Sequence, residues 1–141
     1  MAQDPKKQPI DVERKTASFK DLDFNFTKLS TTSDVASKSD VEAVKQSMKS
    51  LILTRYYERP FQPGLGTAIG DMLFELNTPL LRRRIAKTIR EVIDNHEPRA
   101  KITDVKVDDY ADDNEYRVLI YFYVRNFTGQ EVFETYLTRT R

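Results

Sequence analysis

YRVLIYFYVR, residues 116–125, followed by NFTG (126–129) and QEVFETYLTRT (130–140), is the stretch on which the fold turns. Tyr116, Val118, Ile120, Phe122 and Val124 alternate onto one side, and Leu119, Tyr121 and Tyr123 onto the other. That period of two is the side-chain repeat of a β-strand, and a Gly-containing turn between two such runs makes a hairpin. A strand that is apolar or aromatic on both faces needs cover on both. One face can take helices, and the other is left for a further partner. Upstream, residues 101–108 alternate through Ile102, Val105 and Val107 with a slip in phase. The last third therefore reads as an antiparallel β-meander.

Working outward, Ser39 followed three residues later by Glu42 is a capping-box signal for a helix whose apolar face is Val41, Val44, Met48, Leu51 and Ile52. Tyr56-Tyr57-Glu58-Arg59-Pro60 ends it, and a loop with Pro63, Gly64 and Gly66 leads to a short apolar segment, Ile69 to Leu76. Thr78 before Pro79 marks a second helix start, with Leu81, Ile85, Ile89 and Val92 on one stripe as far as about Asn95. Nearer the start, Leu22, Phe24 and Phe26 alternate with Asp21, Asp23, Asn25 and Thr27, which predicts a half-buried strand, and Val35 and Ala36 supply a short returning one. The expected fold class is α+β, with two main helices and a short helical segment packed on a C-terminal antiparallel β-meander, plus a small N-terminal strand pair. Residues 1–20, polar and interrupted by Pro5 and Pro9, are expected to form a flexible arm, and 21–141 a single domain.

Composition narrows the function. The chain has 141 residues, with 23 Lys and Arg against 22 Asp and Glu, so its net charge of +1 disfavours nucleic acid or an anionic membrane as partner. There is no Cys and a single His, and His96-Glu97-Pro98 breaks the helix that a zinc-binding HExxH needs. Gly64, Gly66 and Gly70 have neither the spacing nor the preceding strand of a phosphate loop. No catalytic residue, cofactor or metal site is expected. The amino terminus has no apolar stretch resembling a signal peptide, which points to synthesis in a cytoplasm. Charges segregate: residues 82–101 are basic and 104–115 acidic, either as a solvated helix beside an acidic loop or as a patch for a protein partner. Glu97-Pro98-Arg99 stiffens the end of the basic helix and aims two opposite charges from one corner. Such a corner can tie the helix to the next strand or dock on another molecule.

VEAVKQSMKSLILT (41–54), ERPFQPGLG (58–66), DMLFE (71–75) and the EPR triplet (97–99) entering ITDVKV (102–107) resemble, in this order and spacing, the baseplate wedge and sheath-initiator proteins of contractile-tailed phages. That family has a counterpart in TssE of the type VI secretion baseplate. The resemblance implies a structural protein of the virion tail baseplate, assembled in the host cytoplasm and arranged sixfold. It implies docking to the wedge core through Glu97, Pro98 and Arg99, and templating of the first sheath ring by strand exchange. Tyr121, Tyr123, Phe133, Tyr136 and Leu137 are the residues expected to meet the sheath. Expected partners are other baseplate wedge proteins, tail sheath subunits and tube-proximal baseplate proteins. The alternative is a peptidoglycan-cleaving muramidase, a label that family members have carried; no residue here supports it.

Overall fold

The computed structural model describes residues 19–30, 34–110 and 114–139. The arm expected over residues 1–20 lies outside the described residues as far as position 18; Phe19 packs against the core, and Lys20 opens the first strand. The elements are β1 (Lys20–Leu22), β2 (Ser37–Ser39), α1 (Asp40–Leu53), α2 (Ile69–Met72), α3 (Pro79–His96), β3 (Ala100–Tyr110), β4 (Glu115–Val124) and β5 (Gln130–Thr138). β1 and β2 form a two-stranded sheet, and β3-β4-β5 an antiparallel meander with β4 in the centre. The architecture is α+β.

The meander explains the core. Tyr116, Val118, Ile120 and Phe122 are fully buried, and they pack with Val44, Met48 and Ile52 of α1 and Leu81, Ile85, Ile89 and Ile93 of α3. The phase slip in the first strand is a β-bulge: Ile102 faces Phe122 and Asp104 faces Tyr121, with Thr103 extra. Arg90 of α3 donates to the Thr103 carbonyl at 3.0 Å, so the bulge also clamps helix to sheet. Thr78 caps α3 by accepting from the Leu81 amide at 3.1 Å, with Pro79 in the first turn.

Two local expectations fail. Ser39 makes no side-chain cap to α1. Instead Asp40, at φ +52°, accepts from the Phe19 amide at 3.2 Å and donates its own amide to the Phe19 carbonyl at 2.8 Å. The helix start thus anchors the incoming chain. The alternation at Leu22, Phe24 and Phe26 does not form a half-buried strand: β1 stops at Leu22, and all three side chains are exposed. Asp23 turns inward instead, accepting from the Asn25 amide at 3.2 Å and the Thr27 hydroxyl at 2.8 Å. An Asx turn has overridden the hydrophobic period. The returning strand is likewise β2, two residues later than Val35, which contributes an isolated bridge to Lys28.

The segregated charges largely answer one another within the chain. Arg82 reaches Asp109 at 3.9 Å, Arg90 reaches Asp104 at 3.9 Å, and Arg84 reaches Glu75 at 3.3 Å. Between α1 and α2 the Pro-rich loop folds back, with the Thr67 amide donating to the Thr54 carbonyl at 2.8 Å and the buried Thr67 hydroxyl to the Ile52 carbonyl at 3.0 Å.

Candidate docking surfaces

The Glu97-Pro98-Arg99 corner is set by α3. The Glu97 amide still closes the last turn onto Ile93 at 2.8 Å, but Pro98 cannot continue the ladder, and the Ala100 amide donates back to the Glu97 carbonyl at 3.1 Å. The reversal delivers the chain into β3, and the Arg99 carbonyl accepts from the Arg125 amide at 2.9 Å. Glu97 is 3% exposed. Its two carboxylate oxygens receive Arg99 Nε at 2.6 Å and Nη2 at 2.8 Å, a bidentate pair across one proline. Nη1 reaches Asp21 of β1 at 3.0 Å, and the guanidinium lies 5.6 Å from the Phe19 ring centroid.

The electrostatics follow from this geometry. Burial works against ionisation of Glu97, but hydrogen bonds from Arg99 and from Ser47 of α1, with the Arg99 charge, outweigh it and hold the carboxyl below its ordinary value. The hydrogen bond to Glu97 correspondingly raises the Arg99 pKa. The corner therefore ties α1, α3, β1 and β3 together. Three of the five guanidinium N–H groups are engaged among the described residues, and the Arg99 side chain is a quarter exposed. Asp21, Phe19 and Ser47 carried no sequence signal for this role: they lie 50 or more positions away and no local period links them to the triplet.

The five meander residues divide between two faces. Leu137 is buried in the core and Phe133 packs against it half-buried, so both side chains belong to the helix-facing side. Tyr121, Tyr123 and Tyr136 stand on the opposite face, which no helix covers among the described residues, with Tyr123 and Tyr136 exposed. There Lys106 lies 5.4 Å from the Tyr121 ring centroid, Tyr110 meets Tyr136 edge-on, and Glu134 accepts from Arg117 at 2.7 Å and from the Tyr136 hydroxyl at 2.6 Å. Those two bonds lower the Glu134 pKa. Among the described residues, no strand pairs with the outer edge of β5.

Several known proteins are similar to this chain in sequence or fold. A chain in the sixfold-symmetrised anti-feeding prophage baseplate is 32% identical, with a TM-score of 0.67 over 77% of this chain and 87% of that one. A chain of the postcontracted pyocin R2 baseplate (17% identical, TM-score 0.59, 77% of this chain, 100% of that one) shares the fold. So does a chain described as a tail lysozyme of Geobacter sulfurreducens (23% identical, TM-score 0.63, 74% of this chain, 96% of that one). The baseplate wedge protein gp25 of Enterobacteria phage T4 is 35% identical over 82 residues, which are 55% of this chain and 62% of that protein. The match thus spans less than two thirds of the T4 protein. The family pattern described as baseplate wedge protein gp25 matches residues 38–126, from β2 through both main helices, the EPR corner and the centre of the meander. On that match, which covers more than half of its length, the chain belongs to the baseplate wedge protein gp25 family.

Proposed function

We propose that the protein is a structural component of a contractile-tail baseplate wedge, docking to the wedge core by its Glu97-Pro98-Arg99 corner and templating the first sheath ring by strand exchange at β5. The observation that carries this reading is that, among the described residues, β5 is terminal and unpaired in a meander whose second face has no helix over it, within a chain 32% identical to one from a sixfold baseplate. An unpaired strand offers main-chain hydrogen bonds for affinity and alternating side chains for register. The corner adds a rigid cation, already oriented by Glu97, whose remaining N–H groups suit a carboxylate or carbonyl of the wedge core.

A muramidase needs a carboxylic acid held protonated near neutral pH. Among the described residues the three carboxyls displaced from their ordinary values, Asp23, Glu97 and Glu134, are all displaced downward. The likeness to the Geobacter chain is one of fold.

The chain contains no Cys, so single cysteines placed on β5, at Val132 or Glu134, give unambiguous cross-links. In assembled tails they are expected to link to a terminal segment of a sheath subunit with period two along both strands. Tails that assemble normally and give no β5–sheath cross-link reject strand exchange.

A further inference from the structure

α3 packs over β3, while α1 reaches β5 through Lys45, whose Nζ lies 3.2 Å from Glu131. That contact places α1 alongside the free edge of β5. Beside this edge lies a groove of about 500 Å³, walled by α1 residues on one stripe, by Phe133 of β5 and by Phe24 of the N-terminal turn. Phe133 puts the groove on the helix-facing side of β5, the side toward which a strand added at that edge would direct every second side chain.

Its chemistry is specific. Leu53 (55% exposed), Phe24 (57%) and half-buried Phe133 give it apolar walls. Lys38, Lys45 and Lys49 give it positive charge. Lys38 and Lys45 have carboxylates at 4.0 and 3.2 Å, whereas for Lys49, among the described residues, no carboxylate lies within 4.0 Å. Of the acids on the groove, Glu42 lies 4.0 Å from Lys45, which it shares with Glu131, and Glu58 accepts from the Arg55 amide at 2.8 Å; neither is within 4.0 Å of Lys49.

Resting on the strand-exchange reading, we infer that the strand accepted at β5 is an acidic–apolar one, placing a carboxylate opposite Lys49 and an apolar side chain between Leu53 and Phe133. The chain's own residues 1–18 are a poorer occupant, because Lys6, Lys7, Arg14 and Lys15 outnumber Asp4, Asp11 and Glu13.

The test uses the full chain and two ten-residue peptides that alternate threonine with inward positions occupied in turn by glutamate and leucine, or by lysine and leucine. At low salt the glutamate peptide is expected to bind at least tenfold more tightly. Lys49→Glu, at an exposed position, is expected to reverse that order, and amide exchange along β5 to slow on binding. Equal affinity for the two peptides, or binding by neither, overturns the inference; equal affinity with β5 protection leaves strand exchange standing. Binding that survives backbone N-methylation of the peptide removes strand exchange itself. A spin label on Ile10→Cys that broadens Leu53 and Phe133 resonances in the peptide-free chain puts the protein's own arm in the groove and overturns the inference also.

Discussion

Arg99 grips Glu97 across the intervening proline with both ends of its guanidinium fork, at 2.6 and 2.8 Å, while the carboxylate it holds is buried. Removing Arg99 leaves that carboxylate desolvated and without its cation. Arg99→Ala is therefore expected to destabilise the isolated fold by about 3 kcal/mol, read in urea titrations. Asp21 is more exposed and makes one contact, so Asp21→Ala is expected to cost less than about 1 kcal/mol. Equal losses in the two variants would show that the Glu97 pair is no stronger than a surface one. The contrast also governs tests of wedge docking: a loss of assembly in Arg99→Ala has to be compared with Arg99→Lys, which keeps the charge without the fork.

Acid should weaken the same corner. A carboxyl whose pKa is lower folded than unfolded contributes stability above its unfolded value and loses it as pH falls through the folded value. The ordinary values are 4.5 for Glu97 and 3.8 for Asp23, and both are lowered in the fold. Urea midpoints are expected to be flat from pH 7 to about 5 and to fall progressively below pH 4.5. Asp23→Asn is expected to flatten the most acidic part of that curve; a midpoint that rises on acidification would contradict both assignments.

Gly66 and Gly70 lie four positions apart and have opposite tolerances. At Gly66, φ +141°, an added Cβ lies 2.7 Å from the Arg55 carbonyl carbon and oxygen and 2.9 Å from the Thr54 carbonyl oxygen. Backbone cannot retreat there without breaking the Thr54–Thr67 bond. At Gly70 the nearest atom, 2.8 Å away, is Nε of the flexible Arg55 side chain. Gly66→Ala is expected to lose about 2 kcal/mol or more, and Gly70→Ala less than about 1 kcal/mol, in thermal unfolding.

The elements that were legible in the sequence are those whose side-chain period coincides with burial. Tyr116 to Val124 and Leu81 to Ile93 announce themselves because the buried face is continuous and apolar. The bulge at Thr103 was visible as a broken phase. The N-terminal alternation misled because hydrogen bonds to the Asp23 carboxylate, not the burial of Phe24 and Phe26, set the backbone there. The corner was half legible: Pro98 told where the helix stops, but its ties to Asp21 and Ser47 depend on tertiary packing that no local pattern encodes. Alternation along residues 130–138 does put Leu137 and Tyr136 on opposite faces of β5; grouping them as one sheath-facing set overlooked that period, and Leu137 is the one that the core buries.

That separation is itself testable. Leu137 is 3% exposed and contacts the core, so Leu137→Ala leaves a cavity and is expected to cost about 2–4 kcal/mol in thermal unfolding. Tyr123 is 44% exposed on the helix-free face, and Tyr123→Ser is expected to change stability by less than about 1 kcal/mol. If the outer tyrosines meet the sheath, Tyr123→Ser combined with Tyr136→Phe, which keeps the ring against Tyr110 and loses the hydroxyl bond to Glu134, should reduce sheath polymerisation on reconstituted baseplates by more than its small stability loss explains, whereas Leu137→Ala should reduce it only in proportion to the unfolded fraction. Normal sheath on the double tyrosine variant would confine the sheath contact to the β5 edge and the groove beside it.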